Sequence, residues 1–111
     1  MTKLEELTKK ICKFRDERNW KQFHTTKDMF ISLALESSEL LELAQWKTDD
    51  EIHKDKQAIA EELADVAYWL LLISHDLNID LPKAIEDKLA VNAEKYPVGK
   101  SKDNKNKYDK L

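Results

Sequence analysis

Glycine, proline and cysteine are scarce in this sequence, with one Gly, two Pro and a single Cys in 111 residues. Ordinary proteins carry roughly 7% Gly, and tight hairpins need it at positive φ. β-Sandwiches and small barrels are therefore disfavoured, and the chain reads as helical. Glycine-rich phosphate loops are excluded for the same reason, because Gly99 has no glycine neighbour. Cys12 alone can form neither an intrachain disulfide nor a zinc site built from four cysteines. Long hydrophobic runs are also lacking. The longest, Val66 to Ile73, has eight residues, against the roughly 20 that span a bilayer. The start, Met1-Thr2-Lys3-Leu4-Glu5-Glu6, lacks the apolar stretch of a signal peptide. No membrane partner is expected, and the expected compartment is a reducing cytoplasm.

What the chain does have is charge. Asp, Glu, Lys and Arg make up 37% of residues against 41% apolar, a mixture suited to amphipathic helices with solvated outer faces. The net charge of −3 is unevenly spread. Pro97 to Leu111 hold five Lys and two Asp, whereas residues 1–96 carry 14 basic against 20 acidic groups. An acidic body argues against a nucleic-acid polymer as partner, since that grip needs Lys and Arg on phosphates. It suits a protein that recruits cations. The length fits one domain, and one this small gains burial by self-association.

Four helices are expected. The first runs from about Thr2 to Asn19, with Leu4, Leu7, Ile11, Phe14 and Arg18 on one stripe. The second covers about Lys27 to Trp46, with Thr25 or Thr26 as N-cap. The third opens on the capping-box pattern Thr48-Asp49-Asp50-Glu51 and continues to about Leu77. The fourth starts after Asp80, with Pro82 in its first turn, and stops before Pro97. Residues 1–97 are thus expected to form a single helical domain. Residues 98–111 are expected to be a flexible, Lys-rich tail that is mobile in isolation.

The informative residues are carboxylates inside apolar stripes. On the second helix Met29, Leu33, Leu40 and Leu43 or Ala44 follow the helical period, and Glu36 falls in that stripe with Glu39 one turn on. On the third, Ile59, Leu63, Val66, Leu70 and Ile73 make the inward side, with Glu62 among them and Asp65 a turn further. An ionised carboxylate on an inward face needs a positive partner, and neither stripe has Lys or Arg at the neighbouring turn. Four oxygen donors without a basic partner suit a hard divalent cation, Mg²⁺ or Mn²⁺. Zinc is disfavoured because no nearby Cys or His cluster supplies its preferred ligands. The bland alternative is that Glu-x-x-Glu pairs arise by chance on solvated helices; two pairs, both within the apolar period, weigh against it. A di-iron bundle would show Glu-x-x-His, but Lys21, Asp50 and Leu72 stand three before the histidines.

Glu36-x-x-Glu39 followed by Glu62-x-x-Asp65 resembles the MazG-like all-α nucleotide pyrophosphohydrolases, in particular their dCTP pyrophosphatase branch. Arg18-Asn19-Trp20-Lys21-Gln22-Phe23-His24, Glu36 to Trp46, Glu61 to Trp69, Asp80-Leu81-Pro82-Lys83-Ala84, and Lys88, Asn92 and Lys95-Tyr96-Pro97 extend the resemblance over about residues 4–100. One departure is Leu35, where many MazG proteins have a further Glu.

The resemblance implies a four-helix MazG-like bundle that assembles into a homo-oligomer, a tetramer with dimers as building blocks. It implies that Mg²⁺ held by Glu36, Glu39, Glu62 and Asp65 binds a nucleoside triphosphate. Water then attacks the α-phosphorus, releasing the monophosphate and pyrophosphate, with Glu39 the candidate to orient or deprotonate that water. Lys88, Asn92 and Lys95, at helical spacing, are carried over as phosphate and sugar contacts, with an ordinary solvated face as the alternative; Lys100 and Lys102 are further candidates. Trp20 and Trp46 line the base pocket in that branch, and Trp69 stands where it carries an aromatic; each could instead be core or interface. Aromatic rings stack on the flat face of a base. His24 is a candidate polar contact to the nucleotide, or otherwise a loop residue. Ile11 and Phe14 are placed along one side of the pocket, and Tyr68 is read as packing. The implied substrate is dCTP or a 5-modified dCTP, in nucleotide-pool housekeeping. The alternatives are a broad dNTP pyrophosphohydrolase and a non-enzymatic acidic module that pairs with a basic partner.

Overall fold

Residues 1–111 are described by a computed structural model that contains helices and turns but no strand. The helices are α1 (Lys3–Glu17), α2 (Thr26–Glu42), α3 (Asp49–His53), α4 (Lys56–Asp76), α5 (Leu81–Lys95) and α6 (Val98–Ser101). Short 3-10 turns cover Trp20–Phe23 and Tyr108–Lys110. Four of the six helices are substantial, and none is long and apolar enough to cross a membrane. The chain divides into two compact units, residues 1–78 and 79–111.

Polar side chains start the helices by satisfying their free N–H groups. Thr2 Oγ1 accepts from the Glu5 N–H at 3.2 Å, and the Glu5 carboxylate accepts from the Thr2 N–H at 3.1 Å. Thr48 and Glu51 repeat this reciprocal box, both bonds at 3.3 Å. Thr25 caps α2 and Asp80 caps α5, each accepting a backbone N–H at 3.1 Å. With so little glycine, the left-handed positions after helices fall to other residues. Asn19, Asn78 and Asp103, at φ 55°, 54° and 61°, are types that tolerate that region, whereas Trp46 at φ 64° is not.

Two helix boundaries differ from expectation. The second helix ends at Glu42, and residues 43–46 form successive turns, with the N–H groups of residues 43–45 bonded to the carbonyls three residues back, instead of extending it. The expected third helix is two helices, with Asp55 at φ −106° and ψ 50° between them. His53-Lys54-Asp55-Lys56 contains no apolar residue to bury, so a continuous helix would gain nothing there. The Asp55 N–H closes α3 on the Ile52 carbonyl, and the Asp55 carbonyl opens α4 on the Ile59 N–H.

Within residues 1–78 the main packing is α2 against α4, with α1 laid on α4 and on the 3-10 turn. Met29, Leu71 and Leu72 are buried. The inward side of α2 is as expected, but Leu63 and Leu70 of α4 are exposed. The sequence reading also missed Arg15, which is 1% exposed and donates through a terminal guanidinium nitrogen to Asp76 Oδ2 at 2.7 Å. This pair joins α1 to the end of α4. Arg18, expected on the inward stripe, lies outside with its guanidinium 3.7 Å above the Phe14 ring.

In residues 79–111, α5 presents Lys88 and Asn92 along a shallow depression together with Leu81, Ile85 and Leu89. The segment expected to be a mobile tail contains α6 and the second 3-10 turn. Tyr108 of that turn meets Tyr96 edge-on at 6.0 Å, and the Lys95 ammonium lies 4.9 Å from its ring centre. Aromatic and cation–π contacts thus supply apolar attachment in a segment otherwise made of Lys, Asn and Asp.

Candidate metal centre and adjoining aromatic cavity

Because α2 and α4 pack against each other, their two carboxylate pairs meet. One oxygen each from Glu36, Glu39, Glu62 and Asp65 lies within 4.8 Å of all the others. Glu36 and Glu62 are half-buried, while Glu39 and Asp65 are exposed. Glu36 Oε2 and Glu62 Oε2 are buried with no hydrogen-bond partner, and no Lys or Arg forms an ion pair with any of the four. Burial, with the neighbouring carboxylates of Glu39, Asp65 and Glu62, pushes Glu36 up to about 7. Burial and the charges of Glu39 and Asp65 also raise Glu62.

These residues fit a divalent cation. One oxygen from each of the four already lies within 4.8 Å of the others, so a single small cation can be reached from all of them after modest side-chain adjustment. The donors are all hard oxygens, and the two orphaned ones gain a partner. The cluster could therefore hold Mg²⁺ or Mn²⁺.

The raised groups set the sign of a pH effect. Glu36 binds its proton more tightly folded than unfolded, so without metal the folded chain loses stability as pH rises from the ordinary carboxylate value towards 7. Metal binding requires the ionised carboxylates and displaces the proton. The rise in Tm on adding Mg²⁺ is expected to be larger at pH 8 than at pH 6, read by thermal melts with and without metal. Equal gains at both would break the link to Glu36.

Beside the cluster lies a cavity of about 450 Å³, within the range of small-molecule sites. Helix α1 contributes Leu7, Lys10, Ile11 and Phe14; the 3-10 segment gives Trp20 and His24; α4 supplies Asp65, Tyr68 and Trp69. The rings interlock edge to face: Phe14–Trp20 at 5.8 Å, Phe14–Tyr68 at 6.3 Å, Tyr68–Trp69 at 5.2 Å and His24–Trp69 at 5.1 Å. Burial first, and then the Arg15 cation, push His24 below its ordinary value and favour the neutral ring.

The structure thus brings Trp20, His24, Trp69, Ile11 and Phe14 together, with Asp65 shared between cavity and cluster. Trp46 is not among them; it is 92% exposed in the single chain. Lys88, Asn92 and Lys95 lie on α5, in the other compact unit. Tyr68, expected only to pack, lines the cavity, as do Leu7 and Lys10. Tyr68 was legible, since three residues after Asp65 lies on the same helical face.

The MazG-like family model matches residues 31–111, which include all four carboxylates. Along 97% of its length the chain is 36% identical to dCTP pyrophosphatase 1 of Rattus norvegicus and 34% identical to that of Homo sapiens, covering 67% of each. It also superposes on the crystal structure of a pyrophosphatase from Archaeoglobus fulgidus with a TM-score of 0.82 at 34% identity, over 87% of this chain and 94% of that one. The chain belongs to the MazG-like family. Within it, this is a pyrophosphatase-type hydrolase similar to the dCTP pyrophosphatases along nearly its whole length.

Proposed function

We propose that the chain is a Mg²⁺-dependent pyrophosphohydrolase that cleaves dCTP or a 5-modified dCTP to the monophosphate and pyrophosphate. The observation that carries this reading is the sharing of Asp65 between the four-carboxylate cluster and an aromatic cavity large enough to admit a nucleobase. Glu36, Glu39, Glu62 and Asp65 would hold the metal, which supplies charge neutralisation at the phosphoryl oxygens and a bound water of lowered pKa. Glu39, exposed and next to the half-buried pair, is assigned to orient the attacking water. Trp20 and Trp69 stack on the base, and the edge-to-face ring contacts hold them in place before it arrives. Lys88, Asn92 and Lys95 are assigned to phosphate and sugar on their common α5 face and the family resemblance.

Self-association into a tetramer belongs to the same reading. Phe30, Ile31, Leu35 and Leu41 of α2, with Leu63 and Leu70 of α4 and Trp46, leave an apolar surface uncovered in one chain. Light scattering on the full chain measures the assembly, and a monomer would remove this part.

The deciding experiment is a product assay with Mg²⁺ and dNTPs, rNTPs and 5-methyl-dCTP. Monophosphate and pyrophosphate from a cytosine nucleotide, suppressed by a chelator, is the expected result. No cleavage of any triphosphate would sink the proposal. A second test concerns the stacking ring: Trp20→Ala is expected to raise KM for the preferred nucleotide by about 10-fold, with a smaller change in kcat. An unchanged KM would take Trp20 out of the base pocket.

A further inference from the structure

Two buried polar groups, one of them lining the cavity, have no role in the proposed reaction. Outside the carboxylate cluster, the buried side-chain atoms of residues 1–78 that lack a hydrogen-bond partner are His24 Nδ1 and Asp76 Oδ1. One is a ring nitrogen that can donate; the other is a carboxylate oxygen that can only accept. The charged groups that act on His24 are Arg15 and Asp76. Arg15 already occupies the other oxygen of Asp76, at 2.7 Å. The Asp76 carboxylate is thus held at one end and free at the other. Buried polar atoms are rarely left unpaired, and a donor and an acceptor orphaned together are matched by a small side-chain rotation or by one bridging water. In a neutral histidine, the partner of one nitrogen decides the role of the other.

We propose that Asp76 is a positioning residue for base recognition: its free Oδ1 takes the Nδ1 proton of His24 in a hydrogen bond, directly or through one buried water, so that Nε2 offers a lone pair to the cavity. This rests on the proposed nucleotide-binding role of the cavity. With Nδ1 buried and the ring lining the cavity, Nε2 is the nitrogen available to a ligand. As an acceptor it matches the exocyclic amino group of cytosine and opposes the carbonyl that uracil and thymine carry at the same position. His24 is then the specificity-determining contact, and Asp76 acts through it. The Arg15–Asp76 pair serves both to anchor α1 and to set the histidine tautomer.

Asp76→Asn provides the test. Arginine only donates, so the carbonyl of the new side-chain amide turns to Arg15 and its amino group turns to His24 Nδ1. The ring must then carry its proton on Nε2, the same logic by which an Asp-to-Asn change traps the wrong tautomer in serine proteases. Two measurements are made on the full chain. Nitrogen-15 spectra of the histidines at pH 7 are expected to show His24 protonated at Nδ1, with Nε2 shifted by dCMP but not by dUMP. In Asp76→Asn the proton is expected at Nε2, and the preference for dCMP over dUMP to fall at least about tenfold, the effect of one mismatched buried polar contact. A His24 protonated at Nε2 in the unmodified chain would overturn the proposal, and that measurement stands even where Asp76→Asn fails to fold. An unchanged preference in folded Asp76→Asn would overturn it equally. Turnover is read separately: nucleotide-dependent shifts without triphosphate cleavage would remove the proposed reaction and leave this inference intact.

Discussion

Glu39→Gln is expected to lower turnover by on the order of 10³-fold while the chain keeps its fold. The side chain is exposed, so the amide, nearly the same shape, disturbs no packing. What changes is the cluster's charge. One oxygen donor loses its negative charge and its capacity to orient or deprotonate a water. Removing that charge also relieves Glu36, whose raised value owes part of its shift to Glu39. In chelator, therefore, the variant should melt no lower than the unmodified chain. With Mg²⁺ present, the stabilisation that a bound ion contributes by linkage should largely disappear. Steady-state assays and melts with and without metal check both halves. Turnover at the normal rate would remove Glu39 from the site, and a fall in melting temperature in chelator would show a structural role instead.

Arg15→Met is expected to have the largest effect on stability. Arg15 is 1% exposed and its partner Asp76 nearly buried, and the bond between them is charge-assisted and short. Methionine fills much of the volume but leaves the Asp76 carboxylate without its cation. Breaking one side of a buried pair costs about 3–5 kcal/mol, enough to lower Tm by more than about 10 °C in a domain of this size. Removing both charges together, as Arg15→Met with Asp76→Leu, should recover most of the loss, because a desolvated ion pair and an apolar pair of similar volume are often close in energy. Denaturant melts of the single and double variants make the comparison. Equal loss in both would mean that α1 is held by packing, not by the pair.

The helices were legible because their signals are local. Glycine scarcity, the caps at Thr25 or Thr26, Thr48 and Asp80, and an apolar stripe with period 3.6 each act within one or two turns. The break at Asp55 was missed because the polar stretch around it is compatible with helix; only the want of anything to bury there ends it. The carboxylates were legible for a different reason. Glu36 and Glu62 violate the apolar period, and such a violation marks a residue that has work other than packing.

Position in the stripe could not say which groups would meet across it. Leu63 and Leu70 fit the period yet are exposed, while Leu71 and Leu72 are buried, because the width of a helix face in contact depends on the neighbour's shape. The Arg15–Asp76 pair spans 61 positions, and nothing local in either residue announces the other. Tyr68 enters the cavity because α1 lies beside it, bringing Phe14 to 6.3 Å. Trp46, expected with Trp20 and Trp69 in a pocket that mixes residues from different subunits, is 92% exposed in the single chain. The sequence by itself thus determined the all-helical fold, the starts of α1, α2, α3 and α5, and the candidacy of the four carboxylates, all of which follow from signals along one helix. Only the tertiary structure decided that those carboxylates converge within 4.8 Å, which rings form the cavity and which charge is buried. Those are distances between helices, set by how side chains from separate segments fill the same space.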